Sequence, residues 1–266
     1  MRRSCAVWGA LLLLASCAGC AVWPHDSPPH EATAPPVSAA YRDAVRSAVT
    51  ASRNTSERIT GTIVISGEGS TYTLSVTGRF DMAADKGALT VRLPGGAIDH
   101  MDEVFDGSTV YLRGFAHMGQ KWARTVRAEA EAHALLRAPL NDPEFVLQQI
   151  AEMDQVSLGT PARIDGALAT HYSGTLGLAP LTMRMTAGLR QKTAAMKDGL
   201  GSLTADADVW VDPAGRVVRT RTFFNLQNIS VTATMTLSDA GGPVTVAVPA
   251  AEVVAPAASI TGVLPG

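Results

Sequence analysis

Between Ile229 and Ser238, apolar residues alternate without interruption with serine or threonine. Only an extended strand buries one side of that pattern, because its successive side chains point to opposite faces. One apolar and one hydroxylated face mark a half-buried strand of an antiparallel sheet. The residues before it repeat the theme. Ala205, Ala207, Val209 and Val211 alternate with polar residues and Trp210, and Val218, Thr220, Thr222, Phe224 and Leu226 alternate with Val217, Arg219, Arg221, Phe223 and Asn225. Asp212-Pro213-Ala214-Gly215 joins these two runs as a turn, in which proline presets φ and glycine supplies a positive φ.

The same period-two pattern fills the first half of the chain. Ile59, Ile63 and Ile65 define one strand; Tyr72, Leu74, Val76, Phe80 and Met82 define the next; Leu89, Val91 and Leu93 define a third. Ser66-Gly67-Glu68-Gly69-Ser70, Asp106-Gly107-Ser108 and Asp165-Gly166 read as hairpin turns. Helical spacing is confined to a few segments. Residues 38–52 carry Tyr41, Val45, Ala48 and Val49 on one face, and residues 127–137 are alanine-rich. Asp142-Pro143-Glu144 is a cap, an N1 proline and an acidic first turn, opening a helix with Phe145, Val146, Gln149, Ile150 and Met153. A third helical segment is expected over 180–199, with Leu181, Met185, Leu189 and Met196.

Arg2 and Arg3 precede an apolar run from Ala6 to Ala15, which is shorter than the ~20 residues a membrane-spanning helix needs. A basic start, a short apolar stretch and small residues describe a secretory leader. All three cysteines, Cys5, Cys17 and Cys20, lie within it or just after it, so a disulfide framework or cysteine–metal site in the body is excluded. Leu14-Ala15-Ser16-Cys17 resembles the lipobox of bacterial lipoproteins, whose cysteine receives diacylglycerol. Cys20 offers a competing register, but Leu14 fits the −3 position better than Cys17 does. The expected organisation is a leader over 1–16, a lipidated cysteine and proline-rich tether over 17–37, one domain over 38–250 and a flexible tail over 251–266. Hydrophobic residues make up 46% of the chain and charged residues 17%, against about 25% in an ordinary soluble domain. Loss of Arg2 and Arg3 with the leader leaves 20 basic against 24 acidic residues. Nucleic acid is excluded as a partner, since no basic excess is present to neutralise phosphates.

An ordered set of short motifs follows the lipobox: Lys121-Trp122, Asp142-Pro143, Val209-Trp210-Val211-Asp212-Pro213-Ala214-Gly215-Arg216, Leu237-Ser238-Asp239 and Pro243-Val244-Thr245-Val246. Together they resemble the LppX/LprG-type lipoproteins of actinobacteria, which share a LolA/LolB-like fold. The resemblance covers about residues 38–250. It implies an α+β fold: a single curved antiparallel sheet, forming an incomplete barrel, with helices over its concave face. It also implies an apolar cavity between sheet and helices that takes acyl chains such as palmitate, and a role in carrying lipids or lipid-linked molecules across the envelope. The partners implied are a membrane lipid or glycolipid, the bilayer through a diacylglyceryl cysteine, and an envelope protein that receives cargo. The apolar positions expected to face the cavity are Leu74, Val76, Phe80, Val91, Leu93, Phe145, Ile150, Met153, Met185, Val209, Val211, Phe224, Leu226, Val231 and Met235.

From the residues alone, a packed core and a hollow one give the same pattern. Burying a sixteen-carbon chain from water gains roughly 13 kcal/mol at about 0.8 per methylene, whereas moving it from bilayer to cavity costs little. Exchange near balance suits a shuttle, and unbranched methionines repack around varied shapes. A protein-interaction or sensor module with a closed interior is the alternative. Catalytic residues, metal ligands and cofactors are not expected. His25, His30, His100, His117, His133 and His171 lack metal-ligand spacing, and no Gly-x-Ser-x-Gly element is present. Asp99, Asp102 and Glu103 beside His100 read as a solvated edge, His171 as an exposed strand residue, and Arg219 and Arg221 as part of a solvated sheet face.

Overall fold

A computed structural model describes residues 37–92, 100–114, 119–127, 141–184, 204–226 and 228–256, with a few scattered positions between 187 and 194. All of them belong to one compact unit that begins at Pro35. The first element, α1 (Val37–Ser52), leads into β1 (Ser56–Gly67), β2 (Ser70–Asp81) and β3 (Lys86–Arg92). Next come β4 (His100–Asp106), β5 (Thr109–Arg113) and β6 (Trp122–Val126), then α2 (Pro143–Ala151). The second half holds β7 (Asp154–Leu158), β8 (Ala162–Ile164), β9 (Ala167–Leu176), the five-residue α3 (Leu178–Thr182), β10 (Ala205–Val211), β11 (Val217–Leu226), β12 (Ile229–Ser238) and β13 (Val254–Pro256).

The strands form a single unclosed sheet in the order β13-β6-β5-β4-β3-β2-β1-β12-β11-β10-β9-β7, with β8 paired to β9. Neighbours are antiparallel except at one edge, where β13 runs parallel to β6. β13 lies in the stretch expected to be a loose tail, so the sheet extends past residue 250. β6 was not anticipated, because its five residues, Trp-Ala-Arg-Thr-Val, lack an apolar alternation. β1 joins the two halves of the chain, pairing with β2 on one side and with β12 on the other.

Turn chemistry sets the register. Glu68 and Gly69 both have positive φ (50° and 79°), as do Asp165 and Gly166 (49° and 86°), the primed geometry whose twist matches two-residue hairpins. At the Asp212–Gly215 turn the strands do not stay in step. Val211 opposes Val217 while Trp210 opposes Arg219, so Val218 is an extra residue in a bulge. The bulge turns Val217 inward, onto the same side as Thr220 and Thr222, where uninterrupted alternation put it outward. Val217 donates its backbone N–H to Ser52 Oγ at the end of α1 (2.9 Å), which ties helix to bulge.

One face of the sheet is the core. Ile59 and Ile63, Leu74, Val76 and Phe80, Leu89 and Val91, Met101 and Phe105, Val110 and Leu112, Val209, Val231, Met235 and Leu237 share one buried cluster. α1 lays Val45, Ala48 and Val49 onto it and packs against β7, β10, β11 and α2. α2 adds Val146, Leu147 and Ile150. Tyr72 and Leu168, both expected in apolar registers, are more than half exposed at 57% each, since they sit in the hairpin ends beyond the helices' reach. No helix among the described residues is long and apolar enough to cross a membrane.

Candidate functional site

The apolar inner face and its helical cover are the candidate site. Ten expected cavity residues are buried: Leu74, Val76, Phe80, Val91, Phe145, Ile150, Met153, Val209, Val231 and Met235. All but Phe145 join the single cluster, with Val211 and Phe224 half-buried against it. Phe145 is buried elsewhere, under Arg184, whose guanidinium carbon lies 4.9 Å from the ring centroid. Consecutive residues of a helix are about 100° apart, so Phe145 and Val146 cannot share one core-facing direction, and Val146 takes it. Leu93 and Met185 lie outside the described residues, as do Cys17 and Cys20; Leu226 belongs to β11, but its side chain is not described.

The core cluster is apolar throughout, and a buried ionic cluster stands beside it. Asp142 caps α2, accepting from the backbone N–H of Glu144 and Phe145 (3.1 and 3.2 Å). The same carboxylate receives Arg127 twice (2.6 and 2.5 Å) and Arg184 once (2.8 Å). Arg127 also bonds Asp85 in the β2–β3 turn (2.6 Å), and its guanidinium lies over Phe80 and Phe105 (5.5 and 5.0 Å). Those two rings meet edge to face at 5.5 Å. Glu144 is held by Arg184 and by Arg53 at the end of α1. The cluster therefore pins the start of the cover helix to the ends of β2, β4 and β6. Burial by itself would raise the Asp142 carboxyl; Arg127 and Arg184 outweigh it and hold the group below the ordinary carboxylate range. Burial likewise opposes the charge on Arg127, and its aspartate partners more than offset that, leaving its pKa raised.

Glu103 corrects the reading of a solvated acidic edge. It stands between Met101 and Phe105 on the inner face of β4 and is 0% exposed. Burial pushes its carboxyl well above the usual range; the Asn141 amide, which donates to it at 2.5 Å, opposes the rise, and Asp142 and Asp102 add to it. Among the described residues Glu103 Oε1 and Asn141 Oδ1 have no hydrogen-bond partner. Its neighbour Asp102 faces outward and receives Arg113 through two nitrogens (3.1 and 2.7 Å). His171 also departs from expectation. It stacks on Trp210 (centroids 4.5 Å apart, planes 4° apart) and meets Asp208 at 2.8 Å, with its side chain only 19% exposed. Arg221 beside it is half exposed, as a sheet-face arginine should be, while Arg219 donates to Thr236 Oγ1 (3.1 Å).

Sequence reasoning missed Leu147, Met101 and Leu112, each essentially inaccessible, and the arginine–carboxylate cluster. Alternation carried through β4 and β5 would have found Met101, Glu103 and Leu112. Nothing in the spacing of Arg127, Asp142 and Arg184 announces that they meet. Among the described residues no group of three His, Cys, Asp or Glu side chains is placed to hold a metal ion.

No family model and no curated protein matches the chain. Solved structures do. The chain is similar to LprF from Mycobacterium bovis, with 17% identity, 80% of this chain and 98% of that one covered, and a TM-score of 0.48. It is similar to the Mycobacterium tuberculosis lipoprotein LppX, with 16% identity, 79% and 99% covered, and a TM-score of 0.46. A LolA superfamily protein from Nitrosomonas europaea aligns with 10% identity, 77% and 92% covered, and a TM-score of 0.27. LppX is one of the two lipoproteins for which the group resembled by the sequence motifs is named.

Proposed function

We propose that this chain is a non-enzymatic envelope lipoprotein, anchored on the outer side of the cell membrane through Cys17 or Cys20, that binds and carries a lipid or lipid-linked molecule. The observation that carries the reading is the inner face itself. An unclosed sheet presents an aliphatic surface from β5 across to β10, and a cover of two helices supplies the other wall. The lipobox and the ordered motifs support the same reading. Val146, Leu147 and Ile150 of α2 hold the cover by roughly 1.5–3 kcal/mol each of apolar burial. An acyl chain taking their place restores that burial like for like, so opening and loading stay near balance. The ionic cluster at the start of α2 then serves as the hinge about which the cover lifts.

One observation favours a second reading, a partner-binding module with a closed interior. Leu112, Leu147, Ile150 and Val209 are 0% exposed, so protein atoms surround them on every side. The two readings part on transfer. Phosphatidylcholine vesicles containing a pyrene-labelled phospholipid are mixed with a C17S/C20S chain, and excimer emission is followed. The carrier reading predicts a fall in excimer emission as probe moves to the protein. An unchanged signal, with a stoichiometric envelope protein captured by cross-linking, would establish the second reading instead.

A further inference from the structure

Glu57 is the first inward-facing residue of β1 and is 2% exposed, yet among the described residues it has no hydrogen-bond or ion-pair partner, with Arg216 acting on it only at longer range. It lines a pocket of about 160 Å³ whose apolar walls are Ile164, Ala167, Val217 and Leu237. The pocket lies where the β8–β9 turn, the β10–β11 turn and the end of β12 meet, apart from the α2 cover. An unpartnered buried carboxyl on an apolar wall is a costly arrangement that a ligand relieves.

The charges around Glu57 decide what that ligand is. Arg216 faces the pocket, but its guanidinium is already taken by Asp212 in the same turn (3.2 and 2.9 Å). Asp239, just past β12, is taken by Arg79 of β2 and lies 3.7 Å from Arg58 of β1. Arg53 at the end of α1 is held by Glu144. The pocket's own lining holds four carboxylates, Glu57, Asp165, Asp212 and Asp239, against one guanidinium, Arg216, so an acidic excess remains even with Arg58 and Arg79 beside Asp239. The pocket therefore selects against anions. At about 30 Å³ per water it has room for about five waters, or a straight chain of about as many heavy atoms.

We propose that this pocket binds a primary ammonium group on a short aliphatic chain, with Glu57 as its counter-ion. The ammonium fills the empty hydrogen-bonding capacity of the carboxylate, and the methylenes lie against Val217, Leu237 and Ile164. Burial pushes the Glu57 carboxyl up to about 7; Arg216 works against the rise and Asp212 adds to it. Binding is consequently linked to a proton: the cation needs the ionised carboxylate, so affinity grows as pH rises through that value. A soluble alkylamine and an ethanolamine headgroup share this chemistry.

The test is calorimetric titration of the full chain with n-butylammonium chloride, using n-butanol and sodium butyrate as matched controls. The site predicts saturable binding of the amine alone at pH 8 and binding about thirty-fold weaker at pH 5.5, following the ionised fraction of a group titrating near 7. Glu57→Gln, an isostere of the protonated residue, should lose at least ten-fold in affinity at pH 8 and lose the pH dependence. Ala167→Trp, at an exposed position on the pocket wall, should block binding while leaving Glu57 in place. Competition by vesicles with phosphatidylethanolamine, and not by pure phosphatidylcholine, would assign the site to a headgroup; no competition would assign it to a soluble amine. Equal binding of butanol, unchanged affinity in Glu57→Gln, or no saturable binding at pH 8 would overturn the proposal.

Discussion

Replacing Asp142 by asparagine separates the two tasks of that side chain. Asparagine caps helices as well as aspartate does, so the bonds from the N–H groups of Glu144 and Phe145 survive. The charge does not survive. Arg127 and Arg184, whose side chains are 7% and 17% exposed, then face an amide where they faced a carboxylate. Removing one partner of a buried ion pair costs up to about 3–5 kcal/mol, and the lower end applies here because Arg127 keeps Asp85 and Arg184 keeps Glu144. That is a large part of the 5–15 kcal/mol typical of a whole domain. Urea denaturation at pH 7, followed by circular dichroism, measures the loss. Because Arg127 and Arg184 hold the folded-state pKa of Asp142 below its unfolded value, its stabilisation is complete above the ordinary carboxylate range. It disappears as pH falls through the lower folded value. The curves of Asp142→Asn and the unaltered chain must therefore converge on acidification. A loss under 1 kcal/mol at pH 7, or a gap that persists in acid, would refute the assignment of the cluster as the clamp on α2.

Glu103 predicts the opposite sign. Its folded pKa is raised, so the protein should lose stability as pH climbs from the ordinary carboxylate value toward the folded one, and Glu103→Gln should remove that slope in a pH series of urea midpoints. Leu147→Ala, at a position with no exposed surface, should cost about 2–5 kcal/mol in the same assay. Gly87→Ala should destabilise by overpacking, because a Cβ there would sit 2.2 Å from the Phe80 ring, and thermal unfolding should report a lower midpoint.

Most of the sheet was legible because a strand with one face buried must alternate, and β1, β2, β3, β10 and β12 do. The α2 start was equally plain, since Asp142, Pro143 and Glu144 each have one favoured place at a helix N-terminus. What escaped notice has identifiable causes. β13 is a short strand at the sheet edge and β6 its short neighbour, and among their described side chains only Ala123 is buried, so no periodicity was imposed on them. The Val218 bulge is a backbone event whose only sequence trace is that Val217 and Val218 are both apolar. Glu57 and Glu103 occupy inward positions of alternating strands, but a carboxylate there is read as a break in the pattern and not as part of it. The ionic cluster unites residues 15 and 42 positions apart in sequence, a proximity that only the folded sheet creates.

The central claim is that the space between this sheet and its helices accepts hydrocarbon from outside the chain. Native mass spectrometry of the C17S/C20S chain, recovered from the envelope of its own host, addresses it with no added ligand. The account predicts a population heavier than the polypeptide by one lipid, which organic extraction removes and which a second analysis of the extract identifies. A single species at the bare polypeptide mass would contradict it.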